Sequence, residues 1–167
     1  MIRTTEHPLP TTALPALPGC SSPARYVREY RTRHGLPARH DPGTGHITMR
    51  ARQVVGVMVP AALGGRVRDA LAEAGAVGGP IVHHPRSQTW TLLADRDGAA
   101  TASARLWHGR VFVIAANALI GLPSPVTLPD HAAYREWIAV PHERARPALS
   151  TVTEALLALL PPGRPRA

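Results

Sequence analysis

Between Pro80 and Asp97 the chain reads PIVHHPRSQTWTLLADRD, which places His83, His84, Arg86, Trp90, Asp95 and Asp97 in one strand–turn–strand pattern. Adjacent histidines point to metal chemistry only if they can converge on one ion. Neighbouring residues on a strand face opposite sides. Catalytic zinc also takes three protein ligands and an open position, and no HxH or HExxH spacing supplies them here. The carboxylates are spaced differently. Two acids one residue apart on a strand share a face, which is how paired magnesium ions are held against a triphosphate. Asp95 and Asp97 are therefore candidate metal ligands. They also belong to Asp95-Arg96-Asp97-Gly98, whose composition is that of a turn, where Asp bonds its own backbone. No residue is singled out as catalytic and no cofactor is implied.

Nucleophile chemistry finds less. Ser87 and Ser124 fall in expected loops, and neither sits in a G-x-S-x-G elbow. Gly64-Gly65 and Gly78-Gly79 lack the Lys of a phosphate-binding Walker loop. The single cysteine, Cys20, leaves no partner for an intramolecular disulfide, which favours a reducing compartment and a cytoplasmic location.

All 19 basic side chains are arginine, against 11 acids, for a formal charge of +8. Each arginine is a planar fork that grips phosphate or carboxylate with two bonds and stacks on rings. Such a chain attracts polyanions: DNA or RNA first, then anionic lipid or an acidic protein partner. Arginines beside aromatics are the pattern of a nucleic-acid surface. The pairs are Arg86 with Trp90, Arg105 with Trp107, Arg135 with Trp137, and Tyr26 and Tyr30 beside Arg28 and Arg31. The candidate nucleic-acid-binding residues are Arg25, Arg28, Arg31, Arg33, Arg86, Trp90 and Arg135. The competing reading makes each tryptophan a core anchor covered by an arginine stem, with at least two of the three buried, because aromatics are only 4% of the chain.

The elements that must position these groups follow from periodicity and breakers. Residues 1–23 hold five prolines and no period, the composition of a disordered arm. Leu17-Pro18-Gly19-Cys20 resembles a lipoprotein cleavage box, but the prolines before it preclude an apolar signal region. Ser22 and Pro23 then suit the cap and first position of a helix that carries Tyr26, Val27 and Tyr30 on one stripe and stops at Gly35. His46–Arg50 and Gln53–Val59 read as strands. Pro60–Ala74 is a helix with Leu63, Val67, Ala70 and Leu71 on one face, weakened by Gly64 and Gly65 at about 1 kcal/mol each. Ile81–His83 and Thr89–Leu93 are strands, 98–108 a short helix, Arg110–Ala115 and Leu119–Leu122 strands, and Tyr134–Val140 a short element of open type. Pro147–Leu160 is a helix in which Thr151 and Glu154 have capping-box spacing, and 161–167 form a tail. Strands grouped between helices predict one α+β domain over 24–160, with a mostly antiparallel sheet packed by two or three helices. No apolar run reaches the ~18 residues needed to span a bilayer.

Ala118–Pro125, ALIGLPSP, followed by Tyr134-Arg135-Glu136-Trp137, resembles the last part of the N-terminal domain of bifunctional primase–polymerases. In that family a strand leads to a Pro-Pro-Ser loop, and a further strand carries a Tyr-x-Trp-like pattern. Ser87–Leu93, SQTWTLL, resembles that domain's earlier aromatic strand. The run from Gly79-Pro80 through Trp90, Leu122–Pro125 and Trp137 is similar to short actinobacterial proteins related to such domains, and the likeness spans roughly residues 50–140. The family's enzymes place their D-x-D well before a Ser-x-His motif; here Asp95 and Asp97 follow the matching strand, and no Ser-x-His occurs. The resemblance thus implies a degenerate, non-enzymatic copy serving as a nucleic-acid-associated accessory or regulatory module. Two other readings stay open. One is a protein-interaction module using the Pro-rich arm; the other is a divergent metal-dependent nucleotidyl transferase using Asp95 and Asp97.

Overall fold

A computed structural model describes residues 22–98 and 103–162; most of the expected arm (1–21) and the end of the tail (163–167) lie outside them. The chain runs α1 (Pro23–Thr32), β1 (Ala38–His40), β2 (Ile47–Arg50), β3 (Val54–Pro60), α2 (Ala61–Glu73), β4 (Ile81–His84), a 3-10 turn (Pro85–Ser87), β5 (Thr89–Asp95), α3 (Ala104–His108), β6 (Phe112–Val113), β7 (Leu119–Leu122), β8 (Glu136–Ala139) and α4 (Leu149–Leu159). The protein is α+β, and its strands form two antiparallel sheets rather than one. The smaller has order β1-β2-β7 and the larger β6-β3-β5-β4-β8.

The sequence of β3, VVGVMVP, is apolar on both faces because both are covered. On one side Val54, Val82, Leu93 and Trp137 of the large sheet meet Ile47, Met49, Ile120 and Leu122 of the small sheet, with Tyr26 and Tyr30 of α1 closing the layer. On the other side Val55, Val57, Ile81, Leu92 and Ala94 pack on Leu63, Val67 and Leu71 of α2, Leu106 of α3, and Leu149, Val152 and Leu156 of α4. Gly56 leaves room for its neighbours: an added Cβ there would lie 2.8 Å from side-chain carbons of Ile114 and Thr91 and 3.2 Å from Ile120 of the small sheet. Gly64 has a similar use. A Cβ there would fall 2.6 Å from the Trp90 ring, so the residue that weakens α2 as an isolated helix is what lets it lie on β5.

Four local expectations are corrected. β1 pairs with β2, Ala38 opposite Met49, although no strand is expected between Gly35 and His46. Asp95 ends β5, opposite Val54, instead of opening a turn. Helix α4 begins at Leu149, so Thr151 lies inside the helix and the Thr151–Glu154 capping box does not form. Its role passes to a distant residue, since the Ser150 amide donates to Asp97 Oδ2 at 3.2 Å. The expected strand Arg110–Ala115 pairs only at Phe112 and Val113, against Met58 and Val57.

Candidate functional site

In the central hairpin His83 and His84 take separate partners. His83 Nδ1 lies 2.7 Å from Glu136 Oε1 across the β4–β8 pair, and the Tyr134 hydroxyl donates to Glu136 Oε2 at 3.4 Å. His84 Nε2 lies 2.8 Å from Thr91 Oγ1. Burial, then the charge of Arg135, then His83 hold the His84 imidazole down to a pKa of about 4, so it is neutral at physiological pH. The His83–Glu136 pair orients a base without giving it a nucleophile. The Ser87 hydroxyl is engaged with Thr89 and the His84 carbonyl, and Ser124 Oγ donates to the Gly45 carbonyl.

The two carboxylates of the D-x-D are occupied by structure. Asp95 Oδ1 accepts from Arg146 Nε at 2.7 Å, and Arg146 Nη1 donates to the His34 carbonyl at 2.8 Å. With the Asp95 amide on the Pro147 carbonyl and Asp97 on Ser150, this stretch docks the start of α4 onto the end of β5. Among the described residues no group of three His, Cys, Asp or Glu side chains is placed to hold a metal ion. The Arg146 side chain is only 9% exposed, the Asp95 side chain 48%. Removing the carboxylate leaves a buried cation unpaired, though water at the half-open Asp95 side softens the loss. Asp95→Ala is therefore expected to lower the unfolding free energy by about 1–2 kcal/mol, measured by urea denaturation, with magnesium leaving the midpoint of either protein in place. A wild-type midpoint that rises with magnesium, and stops doing so in Asp95→Ala, would restore the metal-ligand role.

The basic candidates separate into free and engaged groups. On α1 the side chains of Arg25 and Arg28 are exposed, and no carboxylate among the described residues pairs with them. Arg33 pairs with Glu29 at 3.2 Å. Arg31 Nε donates to the Ala38 carbonyl at 2.7 Å, which ties α1 to β1. Arg86 is exposed on the 3-10 turn. The cation over the Trp90 ring is Arg68, at 6.0 Å, and Trp90 itself is half-buried against α2. Arg105 donates to the Leu157 and Leu160 carbonyls at the end of α4 and serves as its C-terminal cap. Of the tryptophans, Trp137 is buried, Trp90 partly so, and Trp107 is 67% exposed.

Arg135 stands apart. It precedes β8 and reaches over β7, where its Nε lies 3.2 Å from the position a Gly121 Cβ would take. Its Nη1 donates to the Tyr134 carbonyl at 2.9 Å and the Ala132 carbonyl at 3.4 Å. Its Nε is buried without a hydrogen-bond partner, as is His46 Nε2, and burial lowers the guanidinium pKa. Both residues line a cavity of about 70 Å³ with Thr48, Gly121 and Thr127. The sequence singled out Arg135 but neither His46, Thr48 nor Thr127. The one available signal was Gly121, since a glycine inside a strand marks the close approach of another group. A larger groove of about 260 Å³ between α2 and β4 is mostly apolar, with Arg68 its only charged lining residue.

Comparison with protein-family models, with curated proteins and with solved structures finds no match for this chain.

Proposed function

We propose that this protein is a non-enzymatic, cytoplasmic nucleic-acid-associated module with an accessory or regulatory role, as its resemblance to a degenerate primase–polymerase domain implies. The observation that supports this reading most is a row across the outward face of the small sheet. Arg39 stands opposite Thr48, and Thr48 opposite Gly121, over which Arg135 lies. Ile47, Met49, Ile120 and Leu122 turn inward to the core, so alternation puts this row on the other face. Arg31, bonded to Ala38, extends the row towards the free Arg25 and Arg28 of α1. Among the described residues no carboxylate forms an ion pair with these arginines, the nearby Glu29 being engaged with Arg33. A surface of arginine forks with hydroxyls between them suits the sugar–phosphate backbone and carries little sequence information.

The test is a filter-binding titration of the full chain against salt with single- and double-stranded DNA and RNA. Affinity is expected to fall steeply as counterions are released, and loss of one phosphate contact in Arg39→Ala should flatten the log–log slope by about 0.7–0.9. Absence of binding at low salt overturns the proposal. So does a slope that Arg39→Ala, Arg28→Ala and Arg25→Ala all leave unchanged.

A further inference from the structure

The cavity beside Arg135 holds an unresolved electrostatic problem. The Arg135 guanidinium is half-buried, its Nη1 end near solvent and its Nε sealed from it; it stays charged, and a buried N–H left without a partner is costly. Arg135 meets two backbone carbonyls through Nη1, but no carboxylate among the described residues forms an ion pair with it. Its Nε–H, which belongs to the fork that grips an oxyanion with parallel bonds, is buried and unsatisfied. The residues lining the cavity carry no carboxylate: His46 has an unsatisfied buried Nε2, and Thr48 and Thr127 add hydroxyls among the apolar Ile47, Leu122 and Ala133. Asp41, the one carboxylate seen to act on His46, is exposed and already accepts from the Gly43 amide and the Thr44 hydroxyl. Room in front of Nε exists because residue 121 is glycine.

Size narrows the occupant. The cavity is small, about 70 Å³, a scale that suits a few waters or one tetrahedral oxyanion. We propose that this cavity is a binding site for a single phosphate group, held by the Nε side of Arg135 and by His46 Nε2, with the hydroxyls of Thr48 and Thr127 as neutral donors. The phosphate is either free, as inorganic phosphate or a small phosphomonoester, or the terminal phosphate of a polynucleotide lying along the arginine row. The site goes beyond the nucleic-acid reading because inorganic phosphate alone suffices to test it.

The experiment uses the full chain and titrates inorganic phosphate by calorimetry and ³¹P line broadening. Saturable binding with a dissociation constant below about 10 mM is expected. Gly121→Ala places a methyl 3.2 Å from Nε in a backbone conformation that needs no positive φ, and is expected to weaken phosphate at least about tenfold. Arg135→Lys keeps the charge but loses the fork, and should do the same, whereas diffuse attraction to a basic surface would survive it. Circular dichroism melts confirm that each variant is folded. In a second arm, a short single-stranded oligonucleotide with a 5′-phosphate is compared with its 5′-hydroxyl form. An advantage of about tenfold for the phosphorylated strand that vanishes in Gly121→Ala assigns the phosphate to nucleic acid. Equal binding of the two strands beside saturable free phosphate assigns it to a free or small-molecule source. No saturable phosphate binding, or binding that both variants leave unchanged, means that water alone fills the cavity and overturns the proposal.

Discussion

Trp137→Ala is expected to lower the unfolding free energy by about 3–5 kcal/mol, as for other buried tryptophans replaced by alanine. Trp137 is 3% exposed although β8 is an edge strand, because the small sheet and α1 fold over it. Its Nε1 donates to the Tyr30 hydroxyl at 3.1 Å, and that hydroxyl donates to the Pro123 carbonyl at 3.0 Å. The rings of Tyr30 and Trp137 meet edge-on at 5.9 Å, and Tyr26 meets Tyr30 at 5.8 Å. Three aromatic rings thereby join α1, β8 and the loop that follows β7, which are the elements flanking the arginine row. Trp137→Phe keeps most of the apolar contact and loses one buried hydrogen bond, so it should cost about 1–2 kcal/mol beyond its volume change. Urea denaturation of both variants, with a double-mutant cycle to Tyr30→Phe, separates packing from hydrogen bonding. A Trp137→Ala value within about 0.5 kcal/mol of wild type would mean that β8 does not hold the two layers together.

The second large expected effect is a loss of stability in mild acid that depends on His84. Burial and the neighbouring Arg135 lower its pKa from 6.5 to about 4. Between those values the unfolded chain binds a proton that the folded chain refuses, so stability falls as pH falls. The loss begins near pH 6.5, is complete below about pH 4, and is absent at neutral pH. A shift of this size corresponds to about 3 kcal/mol at 1.36 kcal/mol per unit. Solvent screening of the part-buried ring reduces it to about 2 kcal/mol. His34 acts in the same direction, because burial also lowers its pKa. The measurement is the urea midpoint from pH 7 to pH 4 for wild type and His84→Gln, which can retain a bond to Thr91. The wild type should lose about 2 kcal/mol more than the variant over that interval. Superimposable pH profiles would remove His84 from the account of acid sensitivity.

These two residues show different degrees of legibility. His84 was visible as half of a pair that alternation on a strand would separate, and its separation from His83 follows from backbone geometry alone. Its depressed pKa was not visible, since the burial and the Arg135 charge come from chain segments far away in sequence. Trp137 stood out as one of three scarce rings, but nothing local distinguished it from Trp107, which lies on a five-residue helix and stays exposed. The same contrast holds for the arginines. Arg105 and Trp107 look like a stacking pair in sequence, yet Arg105 is committed to the α4 carbonyls, 52 to 56 positions away.

By itself the sequence determined the local elements whose causes are local. Ser22 and Pro23 start α1, the Leu63–Val67–Leu71 stripe makes α2 amphipathic, and β-branched runs bounded by breakers mark β3, β4 and β5. It also determined the excess of arginine over acid and the α+β class. The tertiary structure decided what the polar groups of Pro80–Asp97 do. Asp95 and Asp97, spaced like metal ligands, became the docking points of α4, because Arg146 and Ser150 reach them from 51 and 53 positions away. The division into two sheets and the cavity between Arg135, Gly121 and His46 were decided there as well. Dihedral preference and hydrophobic period act over a few residues, whereas ion pairs, buried charges and cavities depend on which distant segments the core brings together.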